Sequence, residues 1–593
     1  MHRLFILIFL ILTQISCQNE TRQAEIILRH YIDSKEQLIR NYSIQSAVAL
    51  WNATVSGDEK DYRKLMDIEM DFNQSNQNVS NVFAPDRFTS VTQNVFTNVR
   101  DFELLKKLKF SGLITDSLLS RQLNVLYQTF MGPQIEPEKY KELIQTEIKL
   151  EQTFSGFKLE IDGKKYRTSQ IDSIRKNSSD TILPDKIAKA MQQKGKLIAP
   201  DVIKMVKDRN EFAVNFGYPD FYHLALETKD QTPQQVQILL DEIELKTREQ
   251  FFEAKKVIDK LLSKRYGIQA ADLKPWHYND ESSSYLPKAF ILKMDSLFAD
   301  VDPIQKTAQF FEGIGLPVQD VFENSDLKDG PGRAKLTAMI NVDFKNDIRL
   351  IAGIRHSYDG MYRMMHLGGH ASHYKSISDR VPYLIKAPPA VIYEGVSRCF
   401  ENLASNYDWL NEEIPITDEK QKQIVLICQH IHQVDRMFRC RIQLLMSEFE
   451  REIYRNPDQD LDVLWQNMNL KYLGIKYPEK INDSYWASGK FSTNLACNVH
   501  NFVLADVFAA QLQHSIKTRV LDKTNGIYKN NKAIGKYLVD NLYQYGNLLP
   551  WEQLIEKATG EPLNSSYFVN QMIGDDEDKG PALVTSLYRK QKH

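Results

Sequence analysis

His366 and His370 stand four residues apart in the stretch MMHLGGHASHY. On a helix that spacing puts both imidazoles on one face, where they can reach a single ion. Glu394 follows 24 residues after His370 (394 − 370) inside AVIYEGVSRCFENLA, whose apolar spacing is also helical. His366, His370 and Glu394 therefore form a candidate His₂Glu metal set, of the kind that keeps a fourth position for water. In the His-Glu-x-x-His pattern of zinc peptidases, a glutamate beside the first histidine takes a proton from that water. Here the position is Leu367, which cannot. A bare His-x-x-x-His also occurs by chance on helices. The residues alone leave three readings open: an ordinary helix, a metal site with another task, and an altered peptidase site.

The elements that must position these groups read as helices almost throughout. Val434, Phe438, Ile442, Leu445 and Phe449 mark one amphipathic face. Val236, Leu240, Ile243, Phe251, Ala254, Ile258 and Leu261 mark another, opened by Thr232-Pro233 as cap and first-turn proline. Between the histidines and Glu394, SDRVPYLIKAPP is broken by prolines and leaves room for a loop and a return helix. Strand signals are few. FKLEIDGKKYRT predicts a hairpin about Asp162-Gly163, and KLTAMINVDF with DIRLIAGI predicts a second pair just before the histidines.

The chain has 593 residues, 42% of them hydrophobic, which is ample for a core. Lys plus Arg number 75 against 77 for Asp plus Glu, so the balance does not point to nucleic acid. His2 and Arg3 precede a short apolar run, Leu4 to Leu12, and then Ser16-Cys17. That pattern predicts a signal peptide over 1–16, with Cys17 lipidated in the manner of a bacterial lipoprotein. An ordinary cleaved signal is the alternative. Residues 17–593 are expected to form one domain in two lobes. Cys399, Cys428, Cys440 and Cys497 could form disulfides of unknown pairing or remain buried thiols.

Several further segments resemble, in order, those of the angiotensin-converting-enzyme family, zinc dipeptidyl carboxypeptidases of the gluzincin type. They are FAVNFGYPDFYHLALE, FFEGIGLPV with DGPGRAKLTAMINVDF, HQVDRMFRCRI, LWQNMNLKYLGI, WASGKFSTNLACNVHNFVLADVFAAQL and LLPWEQLIEKATGEPLN. The resemblance runs over roughly residues 200–575. It implies an all-α, two-lobed body with a deep central channel and zinc at its floor, held by His366, His370 and Glu394. By the same resemblance Leu367 falls on the general base, and Lys490 on a lysine that holds the substrate's terminal carboxylate. Ser492 falls on a histidine that stabilises the transition state, and Phe502 and Val499 on tyrosines. Ala338 falls on a substrate-contacting histidine, and Arg398 on an aspartate that supports a zinc-binding histidine. Losing the base should cost on the order of 10²–10⁴ in rate, and losing an oxyanion donor roughly 10²–10³. The expectation is thus an exported, lipid-anchored protein of the envelope with peptidase activity impaired or lost. It would bind a peptide or small ligand in the old channel. The alternatives are an active zinc dipeptidyl carboxypeptidase and an envelope scaffold. Arg398, a cation where a carboxylate helps, leaves zinc binding open.

Overall fold

Apolar residues recurring every three or four positions make helices the main element, and helix faces buried against each other make the core. The protein is described from a computed structural model over residues 2–56, 98–131, 137–167, 182–278, 294–329, 337–414, 416–478 and 484–573, with a few isolated positions between these spans. The side chains of residues 1–17 and of Lys490 fall outside the described set, so the expectations for Cys17 and Lys490 do too.

In chain order the helices are α1 (His2–Ser56), α2 (Val99–Ser111), α3 (Ser117–Met131), α4 (Pro137–Gly156), α5 (Leu183–Asn215), α6 (Phe221–Glu227), α7 (Pro233–Tyr266), α8 (Pro303–Gly313) and α9 (Gln319–Glu323). They continue with α10 (Tyr358–Lys375), α11 (Ala390–Glu401), α12 (Tyr407–Glu413), α13 (Glu419–Arg455), α14 (Leu461–Leu473), α15 (Val499–Arg519), α16 (Lys532–Asn541), α17 (Trp551–Thr559) and α18 (Ser565–Ile573). The fold is all-α with small strands, as the sequence predicts. Thr232 caps α7 by accepting the Gln235 amide hydrogen. In α13, Phe438, Leu445 and Phe449 are buried on the predicted stripe.

The hairpin pairs β1 (Leu159–Ile161) with β2 (Lys164–Tyr166), Ile161 opposite Lys164. Its turn residues Asp162 and Gly163 have φ of 52° and 76°, the double left-handed conformation of a type I′ turn. The second predicted pair forms as β4 (Ala338–Asn341) antiparallel to β5 (Ile348–Ile354), with Asn341 opposite Ile348. A third strand, β3 (Asp326–Lys328), adds parallel to the other edge of β5 and was not foreseen. The sheet leads directly into α10, whose cap Ser357 accepts the Gly360 amide hydrogen at 3.0 Å.

Two large apolar cores hold the helices together, and α5, α6, α13 and α15 contribute to both. One gathers residues of α1, α2, α3, α8, α10, α11, α12, α16 and α17. The other gathers α4, α5, α7, α13, α14 and α18. Helix α15 serves both: Leu504, Phe508 and Leu512 face the first, and Val503, Val507 and Ala510 face the second. A helix buried on opposite faces sits in such a shared position. The four cysteines from Cys399 to Cys497 are buried and unbridged, the thiol alternative of the sequence reading.

Candidate metal centre

Helix α10 carries the two histidines and α11 carries the glutamate, and small residues let them meet. A Cβ on Gly369 would lie 2.8 Å from the Ser397 Cα, so α10 and α11 touch backbone to backbone there. A Cβ on Gly395 would lie 2.4 Å from the Phe508 ring, so α11 seats as closely on α15. Pro388 and Pro389 end the intervening loop, and Pro389 stands at the N-cap of α11, the helix that carries Glu394.

The result is a compact donor set. One ligand atom from each of His366, His370 and Glu394 lies within 4.8 Å of the others. The two Nε2 atoms are 3.0 Å apart. Two nitrogens bound to one tetrahedral ion at 2.0–2.1 Å would sit about 3.3 Å apart, so a small adjustment admits a metal. The His370 Nδ1 is buried with no hydrogen-bond partner. His370 packs its ring against Tyr393 at 5.3 Å.

Behind His366 lies a carboxylate that sequence reasoning missed. The Glu401 Oε2 is 2.7 Å from His366 Nδ1. A histidine that donates its Nδ1 hydrogen to a carboxylate turns the Nε2 lone pair toward a metal. The spacing signal was there, since Glu401 lies seven residues after Glu394, two turns along the same helix face. The expectation that Arg398 would leave this support lacking is corrected: Glu401 supplies it. Arg398 is itself balanced. One guanidinium nitrogen is 2.7 Å from Asp506, which is 0% exposed, and its Nε is 3.8 Å from Glu394.

The electrostatics follow from this arrangement. Burial pushes Glu401 up, but His366, Arg398 and Arg439 outweigh it and hold the carboxyl well below its ordinary range. Burial would lower His366, yet Glu401 and Glu394 raise it. His370 is lowered, first by burial and then by His366 and His373. Of the two, His366 holds a proton more readily than His370. His373, next on the helix, is a core residue stacked on Tyr543 at 4.6 Å and pushed down to about 3 by burial.

The remaining predicted positions do not add catalytic groups. Leu367 is 1% exposed and belongs to the first core. Ser492 is fully buried, and its hydroxyl donates to the Trp486 carbonyl at 2.6 Å. Phe502 lies half-buried with its ring 5.5 Å from the Arg398 guanidinium. Val499 begins α15, half-buried, and Ala338 begins β4, opposite Ile351.

Known proteins resemble this part of the chain. Residues 341–574, less than half the sequence, match the family described as Carboxypeptidase Taq (M32) metallopeptidase. That span contains every residue of the candidate centre. The chain is also similar to thermostable carboxypeptidase 1 of Pyrococcus furiosus, 24% identical over 205 residues, covering 30% of this chain and 39% of that protein. The chain thus matches about two fifths of the length of this curated relative. The angiotensin-converting-enzyme resemblance read from the sequence is corrected accordingly: the likeness is to gluzincin-type carboxypeptidase Taq metallopeptidases.

Proposed function

We propose that this protein holds zinc through His366, His370 and Glu394 and binds the C-terminal end of a peptide at that centre. The observation that carries the reading is the convergence of two Nε2 atoms 3.0 Å apart with the Glu394 carboxylate, backed by Glu401 at 2.7 Å. Two neutral imidazoles and a carboxylate are the donors zinc prefers. When bound, zinc would polarise a peptide carbonyl and lower the pKa of water. The chain's own residues limit how far that chemistry can go. Glu401 orients His366, and Arg398 keeps its charge beside Glu394. Leu367 offers no group to accept a proton, and Phe502 offers no hydroxyl to an oxyanion. Hydrolysis is then slower than at a centre with its base by on the order of 10²–10⁴. The likeness to carboxypeptidases favours a second reading, an active zinc carboxypeptidase that uses a different proton acceptor. Export with a lipid on Cys17 belongs to the proposal, resting on Ser16-Cys17 after the apolar run. An unmodified Cys17 in the mass spectrum of the native N-terminus would sink that part.

Elemental analysis of protein purified without added zinc tests the centre. About one ion per chain is expected in the wild type and none in His370→Ala. Added zinc should raise the melting temperature of the wild type alone, since a ligand that binds only the native state stabilises it. Binding should tighten as pH rises, because zinc takes neutral imidazole and the carboxylates of Glu401 and Glu394 raise His366. A wild type free of metal and indifferent to zinc refutes the reading. Release of C-terminal amino acids from blocked peptides, abolished by chelator, would establish the active alternative.

A further inference from the structure

Tyr362 lies one turn before His366 on α10, and its hydroxyl donates to Glu401 Oε1 at 2.8 Å. The other oxygen of that carboxylate, Oε2, is the one 2.7 Å from His366 Nδ1. Glu401 is therefore gripped at both oxygens by two residues of the same neighbouring helix. The Tyr362 ring is itself fixed. It stacks on His432 with centroids 5.2 Å apart and planes 20° apart, and tilts against Tyr358 at 6.3 Å. His432 has no hydrogen-bond partner at either ring nitrogen, so its role against Tyr362 is that of a flat wall. Both of these hydrogen bonds to Glu401 thus come from one helix turn, with Arg398 and Arg439 as neighbouring charges.

We propose that Tyr362 is a positioning residue for the metal centre, locking the rotamer of Glu401 so that Glu401 fixes the His366 ring with Nε2 toward the ion. This rests on the zinc reading above. A carboxylate held at one oxygen only can rotate about its last torsion, which is broad and soft. Held at both, it presents one acceptor to Nδ1 at a fixed angle. Outer partners of this sort typically change metal affinity by about 10–100-fold when lost. Residues Tyr362, His366 and His370, spaced by four, form one stripe: orienter, first ligand, second ligand.

The test is zinc affinity of the full chain, measured against a competing chelating dye, in the wild type, Tyr362→Phe, Glu401→Gln and the double variant. Phenylalanine keeps the ring and its stack on His432. Tyr362→Phe should stay folded, with a metal-free melting temperature lowered only by the loss of one buried hydrogen bond, and should bind zinc about tenfold more weakly. In the Glu401→Gln background the same change should have no further effect, because the tyrosine acts through that carboxylate. Unchanged affinity in Tyr362→Phe, or losses that simply multiply in the double variant, would overturn the proposal. Loss of the fold in Tyr362→Phe would also overturn it, since the hydroxyl would then hold the structure and not the ligand. A wild type that binds no zinc brings down the centre itself; a wild type that binds it beside an unaffected Tyr362→Phe brings down only the tyrosine's role.

Discussion

Leu367 follows the first metal-site histidine and is buried in the larger core, so a carboxylate placed there must leave water. Leu367→Glu should lower the stability of the metal-free protein by about 3 kcal/mol, the upper end of ordinary point changes, because a charge is buried without a partner. Leu367→Met, similar in volume and apolar, should cost less than about 1.5 kcal/mol. Denaturant melts in chelator compare the two. A Leu367→Glu variant as stable as the wild type would show that this side chain faces the metal side and not the core. At this scale the sequence was legible where a group's role depends on its own helix. His366 and His370 are four apart and needed only the helical period. Asp506 was not legible, and Glu401 was legible only in its seven-residue spacing from Glu394. Glu401 matters because α11 lies with its face to His366, and Asp506 because α15 brings it to Arg398. Arg398 read alone looked hostile to a metal; paired with Asp506 it is neutralised and sits beside Glu394.

Among elements, the contact of α10 with α11 sets the distance between the histidines and Glu394. Gly369 permits it, since a Cβ there would meet the Ser397 backbone at 2.8 Å. Backbone cannot step aside as a flexible side chain can. Gly369→Ala should therefore cost about 1–3 kcal/mol and weaken zinc binding, as overpacking moves the helices apart. Gly156→Ala is the control: it ends α4 with nothing within 4 Å of the added Cβ, and should be neutral or slightly stabilising. Melting and zinc titration of both variants decide; a Gly369→Ala protein with normal affinity would show that the helix spacing is not what sets the site. The helices and the hairpin were readable because periodicity and the Asp162-Gly163 turn are local signals. Strand β3 was not, because three residues, Asp326–Lys328, cannot show an alternation, and their pairing with β5 is parallel and non-local. The closeness of α10 to α11 was likewise hidden: the pair of glycines after Leu367 is visible in the sequence, but what they approach is not.

Across the molecule, burial of titratable groups ties stability to pH. His373, His432 and His500 are each pushed down to about 3, chiefly by burial. Their folded values lie below the ordinary 6.5, so the folded state resists their protonation, and stability rises with pH between about 3 and 6.5. Glu450 works the other way. It sits on α13, 1% exposed, and accepts the Cys497 amide hydrogen at 2.6 Å, bracing a segment where Leu495 and Cys497 both have positive φ. Burial raises its carboxyl to about 7, against the lowering effects of the Cys497 amide, Lys229 and Arg209. Its folded value lies above its unfolded one, so its contribution is fully present below about pH 4.5 and is lost as pH rises through about 7. Over that window the loss is on the order of 3 kcal/mol, near 1.4 kcal/mol for each pH unit. The histidines dominate the raw curve below pH 6.5, so the comparison must isolate Glu450. Glu450→Gln keeps an acceptor for the Cys497 amide and cannot ionise. Unfolding free energies of wild type and Glu450→Gln, measured in chelator from pH 4 to 8, should differ by a constant at the acid end. The wild type should then fall relative to the variant from about pH 4.5 and level off above about 7. A difference that stays flat across the whole range would mean that Glu450 titrates like an exposed carboxylate, and that the segment from Leu495 to Cys497 is not braced by a buried acid.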